Sequence, residues 1–210
     1  MDKFSYLTVS DSSKGLYKEK GSRFLSFVFY TPTVEEAKRQ LEGLRKEFFD
    51  ARHHCFAWVI GERYENFRSF DDGEPNHSAG DPILGQIRSR NLTNVMVVVV
   101  RYFGGTKLGV GGLITAYKTA AQLALDNVTI IEKEIVDGIS IEYDYSATSE
   151  VMRLVKDFEL EILHQKFDSQ CQLEATVKLR LKESLLEKLK LLIDTGNPIK
   201  FSFACLKNKP

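Results

Sequence analysis

The chain has 210 residues, enough for one large domain or two domains of about 100 residues each. Hydrophobic residues make up 43% and charged residues 28%, which is typical of a globular protein and excludes a disordered or collagen-like chain. Lys plus Arg equals Asp plus Glu at 29 each, so the net charge gives no reason to expect an acidic partner.

The distribution of apolar residues excludes two further classes, membrane proteins and secreted proteins. No uncharged apolar run approaches the roughly 18–20 residues of a spanning helix, and the start of the chain lacks the apolar core of a secretory signal. The three cysteines, Cys55, Cys171 and Cys205, are odd in number and widely spaced. They form neither a disulfide framework nor a paired zinc motif, so we expect a soluble cytoplasmic protein.

The first half of the chain mixes strands and helices. Residues 24–30 are rich in β-formers, and a helix should begin after Thr33, which is spaced from Glu36 as in a capping box. One apolar stripe follows at steps of three and four, which predicts a buried helix face. The stripe consists of Val34, Ala37, Leu41, Leu44 and Phe48.

Five further elements are predicted before the pattern of the sequence changes. Residues 54–60 should form a strand that pairs with residues 66–70 as a hairpin. Residues 82–90 suit a short helix. The apolar, β-branched run 94–103 predicts a buried central strand, and a helix from about 113 to 126 should follow a glycine-dense turn.

From residue 134 the pattern predicts the element order βαββαβ, which is the ferredoxin-like split pattern. Leu173, Ala175 and Val177 alternate with polar residues, as in a strand with one buried face. We therefore predict an α+β protein with two domains, residues 1–133 and 134–210.

The second sheet is a poor candidate for base stacking. The outward positions of its strand near residue 175 carry no aromatic side chain, whereas RNA-recognition motifs stack bases on such aromatics. Tyr143 and Tyr145 are in register with Ile139 and Ile141, so we expect both tyrosines on the core face.

The densest functional signal is the glycine turn, GGTKLGVGG, which covers residues 104–112 between a buried strand and a helix. Glycines permit positive φ and close approach of a ligand, and a helix N-terminus offers free N–H donors to an anion. The turn matches neither a Walker A loop nor GxGxxG. Close packing of helix on sheet is the equally weighted alternative. The candidate anion-binding residues of the turn are Gly104, Gly105, Lys107, Gly109, Gly111 and Gly112.

A second candidate site is the DDGEP loop, FDDGEPNHSAGDP at residues 70–82. Asp71, Asp72, Glu74 and His77 could hold a hard divalent cation or act in acid–base catalysis. Asp-Gly and Glu-Pro are also strong turn dipeptides, so we favour a structural role for this loop.

A third group, residues 52–55, contains Arg52, His53, His54 and Cys55 at the start of a predicted strand. Adjacent side chains of a strand point to opposite faces, so the two histidines cannot share a metal ion there. No motif pairs Cys55 with a histidine as a nucleophile, and a core role is favoured.

The balanced net charge hides a basic stretch. No acidic residue lies between Asp81 and Asp126, which indicates a nucleic-acid contact as readily as a solvated face. Within it we assign the phosphate contacts to Arg88, Arg90, Arg101 and Lys107.

Three ordered blocks, DARHHCFAWVIG, FDDGEPNHSAGDPIL and VVVVRYFGGTKLGVGGLITAY, together resemble the Impact family, in particular its bacterial YigZ-like branch. The resemblance is strong over about residues 16–126. It implies a first domain like the second domain of ribosomal protein S5, and a ferredoxin-like second domain similar to the last domain of elongation factor G. Where the family usually has Ser-Gly-Thr after DDGEP, this chain has Asn76, His77 and Ser78, so a role for His77 would belong to a subset of the family.

Ribosomal protein S5 and elongation factor G, whose domains this chain resembles, are both associated with the ribosome. Eukaryotic members of the Impact family restrain a kinase that phosphorylates a translation initiation factor. Our leading hypothesis is therefore a non-enzymatic cytoplasmic regulator that contacts RNA, the ribosome or a protein partner in translation, without a cofactor. The alternatives are a metal-dependent hydrolase or phosphate-ester-handling enzyme that uses the DDGEP loop, and a protein–protein adaptor.

Overall fold

The computed structural model describes residues 4–168 and 170–204. Contacts between Cα atoms divide the chain into two compact units, one spanning residues 6–133 and one containing residues 134–210 with the first five residues. Cys205 lies outside the described residues. Within the described part of the chain, no helix has the length and apolar character required to cross a membrane.

The unit spanning residues 6–133 contains a five-stranded antiparallel sheet in the order β2-β3-β6-β4-β5, and a two-stranded sheet of β1 and β7. The strands are β1 Ser5–Val9, β2 Ser13–Glu19, β3 Ser22–Tyr30, β4 His53–Ile60, β5 Asn66–Phe70, β6 Val95–Tyr102 and β7 Ile130–Glu134. The helices are α1 Val34–Glu47, α2 Gly80–Ser89 and α3 Gly109–Asp126.

The five-stranded sheet is covered on both faces, which explains why its central strand β6 is apolar throughout. Val97 and Val99 pack with residues of α2 and α3, whereas Met96 and Val98 pack with the apolar stripe of α1. The prediction of a buried central strand is confirmed. A strand buried on both faces needs apolar side chains at every position, not only at alternate ones.

Local signals in the sequence placed α1 correctly. The side chain of Thr33 accepts a hydrogen bond from the N–H of Glu36 at 3.1 Å, which satisfies one of the free donors at the helix start. The hairpin of β4 and β5 is also confirmed, with Phe56 opposite Phe70. The strands β1, β2 and β7 were not predicted. Their segments are short or only half-buried, so they lack the apolar alternation on which such a prediction depends.

The second unit contains a four-stranded antiparallel sheet in the order β11-β8-β10-β9. Its elements are β8 Val136–Tyr143, α4 Thr148–Asp157, β9 Glu161–Lys166, β10 Cys171–Lys178, α5 Lys182–Asp194 and β11 Ile199–Ala204. The order is β-α-β-β-α-β, and both helices contribute to one apolar cluster with the sheet.

One side chain of this unit differs from expectation. Tyr143 is fully buried, but Tyr145 is 77% exposed. The strand ends at Tyr143, and Tyr145 begins a short 3₁₀ turn. The alternation of a strand therefore no longer decides which way Tyr145 points, and its placement on the core face was wrong.

Candidate functional site

Asp71, the first aspartate of the DDGEP loop, holds the start of α2. One carboxylate oxygen accepts hydrogen bonds from the N–H groups of Ala79 and Gly80, at 2.9 and 2.8 Å. The other accepts from the N–H of His77 at 2.9 Å. Because the first N–H groups of a helix lack intrahelical partners, a carboxylate at this position stabilises both the turn and the helix.

Asp72 ties the same loop to two other elements. Its carboxylate accepts from the N–H of His54 at 2.7 Å and from the guanidinium of Arg45 at 3.2 Å. Its carbonyl oxygen lies 2.8 Å from Nδ1 of His53. The backbone of Asp72 has a φ of +45°, a conformation that aspartate tolerates better than most residues.

Glu74 enters the interior of the unit. Its Oε1 accepts hydrogen bonds from Arg101 and, at 2.8 Å, from the hydroxyl of Tyr117. Glu74 and Arg101 are only 8% and 5% exposed. The thiol of Cys55 extends this network to the Tyr117 hydroxyl at 3.3 Å. Burial raises the pKa of both Cys55 and Tyr117, so these two groups stay protonated at neutral pH.

The four candidate catalytic residues of the loop are thus not positioned to contact one ligand together. Asp71, Asp72 and Glu74 each hold a different part of the scaffold. Among the described residues, no group of three His, Cys, Asp or Glu side chains is placed to share a metal ion. His77 is exposed and pairs with Asp81 four residues later. These contacts support the structural interpretation of the loop.

The glycines of the turn have different roles. A Cβ atom on Gly104 would lie 1.9 Å from the carbonyl carbon of Gly21, so this position requires glycine for close backbone packing. A Cβ atom on Gly105, Gly109 or Gly111 would meet nothing within 4 Å. Close packing against the backbone at Gly21 therefore explains Gly104. Close packing of helix on sheet does not explain Gly111, because the space beside Gly105, Gly109 and Gly111 is open.

The second half of the turn is already helical. α3 begins at Gly109, four residues earlier than expected. Gly109 itself has a φ of +72°, in the left-handed region that glycine adopts without strain, and the helical turn follows it. No side chain caps this end, and its first turn contains no acidic residue. Its partial positive charge is therefore not offset by a neighbouring carboxylate at the helix start.

A cleft of about 410 Å³ lies between the DDGEP loop and the glycine turn, and we refer to it as the cleft. It is lined by Arg52, His53, Gly73, Glu74, Pro75, Arg101, Phe103, Lys107, Leu108, Gly109, Val110 and Leu113.

Two of the cations in the cleft are exposed. Arg52 and Lys107 lie on its surface, and neither forms an ion pair with an acid among residues 4–168 and 170–204. Arg101 also lines the cleft, but its charge is already neutralised by Glu74. The acidic residue and one basic residue of the cleft thus cancel, and a positive charge remains.

Arg88 and Arg90 are not among the residues that line the cleft. The Arg88 guanidinium lies 4.2 Å from the centroid of the Phe67 ring, and Arg90 pairs with Asp126. The acid-free stretch of sequence did not indicate these two contacts. Asp126, at the end of α3, reaches Arg90 only through tertiary packing. Sequence reasoning named Arg52 in the group of residues 52–55 but did not assign it to the phosphate contacts. Its position follows from the register that places His53 opposite Arg101, and the sequence does not reveal that register.

The wall of the cleft is apolar. Phe103 and Val110 are 44% and 53% exposed, and the buried Leu113 lies behind them. Exposed apolar side chains around a concave surface are typical of ligand sites, where they contact a flat or apolar part of the ligand.

The fold is that of an α+β protein with two compact units. Residues 20–125 match the family model described as Impact N-terminal domain, and the chain belongs to the Impact family. It is 35% identical to the IMPACT family member YigZ of Escherichia coli, over 71% of this chain and 74% of that protein. It is 29% identical to the IMPACT family member YvyE of Bacillus subtilis, over 93% and 90% of the two chains.

More distant similarities agree with this assignment. A protein IMPACT homolog of Saccharomyces cerevisiae is 34% identical over 51% of this chain and 42% of its own length. A solved structure described as "Crystal structure of an hypothetical protein" superimposes with a TM-score of 0.73 at 28% identity, covering 99% of this chain and all of that one.

Proposed function

We propose that this protein is a non-enzymatic binding protein that acts in translation by contacting RNA, free or in the ribosome, through the cleft. The cysteine spacing favours a cytoplasmic location. In this proposal residues 1–133 form a domain like the second domain of ribosomal protein S5. Residues 134–210 form a ferredoxin-like domain similar to the last domain of elongation factor G, which the strand order β11-β8-β10-β9 supports.

One observation carries the proposal: Arg52 and Lys107, two cations without an ion-pair partner in the described part of the chain, share a cleft with an uncapped helix N-terminus. Cationic side chains and backbone N–H groups are the donors that proteins use for phosphate oxygens of nucleic acids. Because Glu74 is bound by Arg101, its charge does not oppose a phosphate in the cleft.

The apolar wall favours single-stranded RNA within this class. A phosphate alone would leave Phe103 and Val110 exposed beside it. An unstacked base can cover an aromatic ring, and single strands supply such bases whereas duplexes do not. The cleft thus offers a charged part for the backbone and an apolar part for one base.

The hydrolase alternative has less support because its carboxylates hold separate parts of the scaffold. A calorimetric titration with magnesium, manganese and zinc tests it directly, and saturable binding would restore it. The adaptor alternative predicts capture of a protein partner that is independent of Arg52 and Lys107.

The proposal is tested by measuring how a short single-stranded RNA binds at several salt concentrations. Each phosphate contact contributes a slope of about −0.7 in log K against log salt for single strands. We expect Lys107→Gln and Arg52→Gln each to weaken binding and to flatten this slope by about 0.7. Arg88→Gln, a cation outside the residues that line the cleft, is the matched control.

Two results would count against the proposal. Unchanged affinity and slope in both cleft variants would place any RNA contact elsewhere on the protein. An equal loss in Arg88→Gln would show that binding follows overall charge and not the cleft.

A further inference from the structure

A second concave region lies on the opposite face of the five-stranded sheet, where α1 packs. One helix cannot cover a sheet of five strands, and a groove remains on each side of α1. One groove has a volume of about 210 Å³ and the other about 230 Å³. Because the two volumes are similar, the grooves differ mainly in the side chains that line them.

The smaller groove has an aromatic and sulfur-containing floor, formed by Phe56, Trp58 and Met96. All three side chains are at least nine-tenths buried. Leu41 of α1 and Phe70 of β5 form part of its walls. This lining suits the flat apolar body of a small ligand.

Among the described residues that line this groove, three are cations, Lys38, Arg45 and Arg68, and none is an acid. Among the described residues, Lys38 and Arg68 form no ion pair, whereas Arg45 is 3.2 Å from Asp72. The guanidinium of Arg68 lies 6.0 Å from the centroid of the Phe56 ring, at the edge of the apolar floor.

The groove on the other side of α1 lacks this excess of positive charge. It contains one cation, Lys14, and one acid, Glu47. Its charges therefore cancel, although its volume is nearly the same. The excess of positive charge is specific to the groove above Trp58.

We propose that the groove beside Trp58 binds a small aromatic carboxylate, with the ring on the apolar floor and the carboxylate between Lys38 and Arg68. An apolar cavity of about 150 Å³ accommodates benzene, so a volume of about 210 Å³ fits one ring with a carboxylate. Arginine and lysine bind a carboxylate through charge-assisted hydrogen bonds, which a neutral isostere cannot form as strongly. This site is separate from the cleft and independent of RNA binding.

The experiment is a titration of the full chain with benzoate at constant ionic strength. Trp58 is the single tryptophan of the chain, so its fluorescence reports on this groove, and calorimetry provides a second readout. We expect saturation with a Kd of about 0.1–1 mM, and about tenfold weaker binding of benzamide. The double variant Lys38→Gln, Arg68→Gln should lose about tenfold in benzoate affinity.

Two controls separate this site from others. Lys107→Gln removes a cation of the cleft and should leave benzoate binding unchanged. Thermal unfolding of the double variant should match the parent chain, because both replaced side chains are exposed.

The proposal is overturned by any of three results. The first is no saturable signal in either readout up to about 10 mM benzoate, well above the expected Kd. The second is equal binding of benzoate and benzamide. The third is loss of binding in Lys107→Gln with full binding in the folded double variant, which would place the ligand in the cleft.

Discussion

Arg101 donates a hydrogen bond to Glu74 across 27 positions of the sequence, and both side chains are almost fully buried. The pair joins the central strand β6 to the DDGEP loop, and Tyr117 of α3 donates to the same carboxylate oxygen. The two sequence motifs are therefore parts of one structure, because this contact fixes the DDGEP loop opposite the glycine turn.

Replacing the buried Arg101 should mainly lower the free energy of unfolding. Arg101→Leu leaves Glu74 as a buried carboxylate without its cation, and we expect a loss of about 3–5 kcal/mol in the free energy of unfolding. Urea denaturation measures this loss. Lys107→Gln, at an exposed position, should change stability by less than about 0.5 kcal/mol. Equal effects of the two variants would contradict the assigned role of Arg101.

Asp71 should matter through the backbone groups that it binds. Asp71→Ala leaves three N–H groups without their acceptor, and we expect a loss of about 2–3 kcal/mol. Asp71→Asn keeps one oxygen acceptor and should lose less. Thermal and urea unfolding compare the variants. If Asp71→Ala were as stable as the parent chain, the carboxylate would not hold α2 as described.

The pair of His77 and Asp81 should respond to pH. The carboxylate of Asp81 accepts a hydrogen bond from the His77 ring and thereby raises the pKa of His77. Hydrogen bonds donated by Ser69 and then by His77 lower the pKa of Asp81. The histidine contribution to stability is present below its unfolded pKa of about 6.5 and is lost as the pH rises through its higher folded value. The aspartate contribution is present above its unfolded pKa of about 3.9 and is lost as the pH falls through its lower folded value.

An NMR titration of the imidazole tests this pairing. We expect the pKa of His77 to fall back toward about 6.5 in Asp81→Asn. A value in the parent chain at or below that of the Asp81→Asn variant would show that the pair does not form in solution.

Cys55 should be chemically inert in the folded protein. Its side chain is fully buried, and its thiol contacts the carbonyl oxygen of Asp71 at 3.0 Å as well as Tyr117. Burial raises its pKa, so little thiolate is present at neutral pH. Iodoacetamide should label the peptide that contains Cys55 only after denaturation, as measured by mass spectrometry. Rapid labelling of the native protein would contradict this environment.

Local sequence patterns predicted much of the fold because they depend on neighbouring residues. The stripe of α1, the cap at Thr33 and the apolar run of β6 all follow from periodicity and capping. The start of α3 was misplaced because Gly111 and Gly112 have low helix propensity, and packing of the following helix overrides this preference.

The sequence named the two motifs of the candidate site but not the charges that meet there. The DDGEP loop and the glycine turn line one cleft, and this proximity depends on tertiary packing. The sequence could not show that Arg101 is neutralised by Glu74 or that Arg90 reaches Asp126, because both contacts depend on tertiary packing. Arg52 was not assigned to this site for the same reason, since strand pairing brings it to the glycine turn.

Photocrosslinking tests the central claim most directly. Single-stranded RNA that contains 4-thiouridine is irradiated with the protein, and mass spectrometry locates the modified peptide. We predict adducts on the segment that contains Phe103 and Lys107, and their loss in Phe103→Leu with the fold retained. Adducts confined to the region of Phe67 and Arg88, or to the second sheet, would contradict the assignment of RNA binding to the cleft.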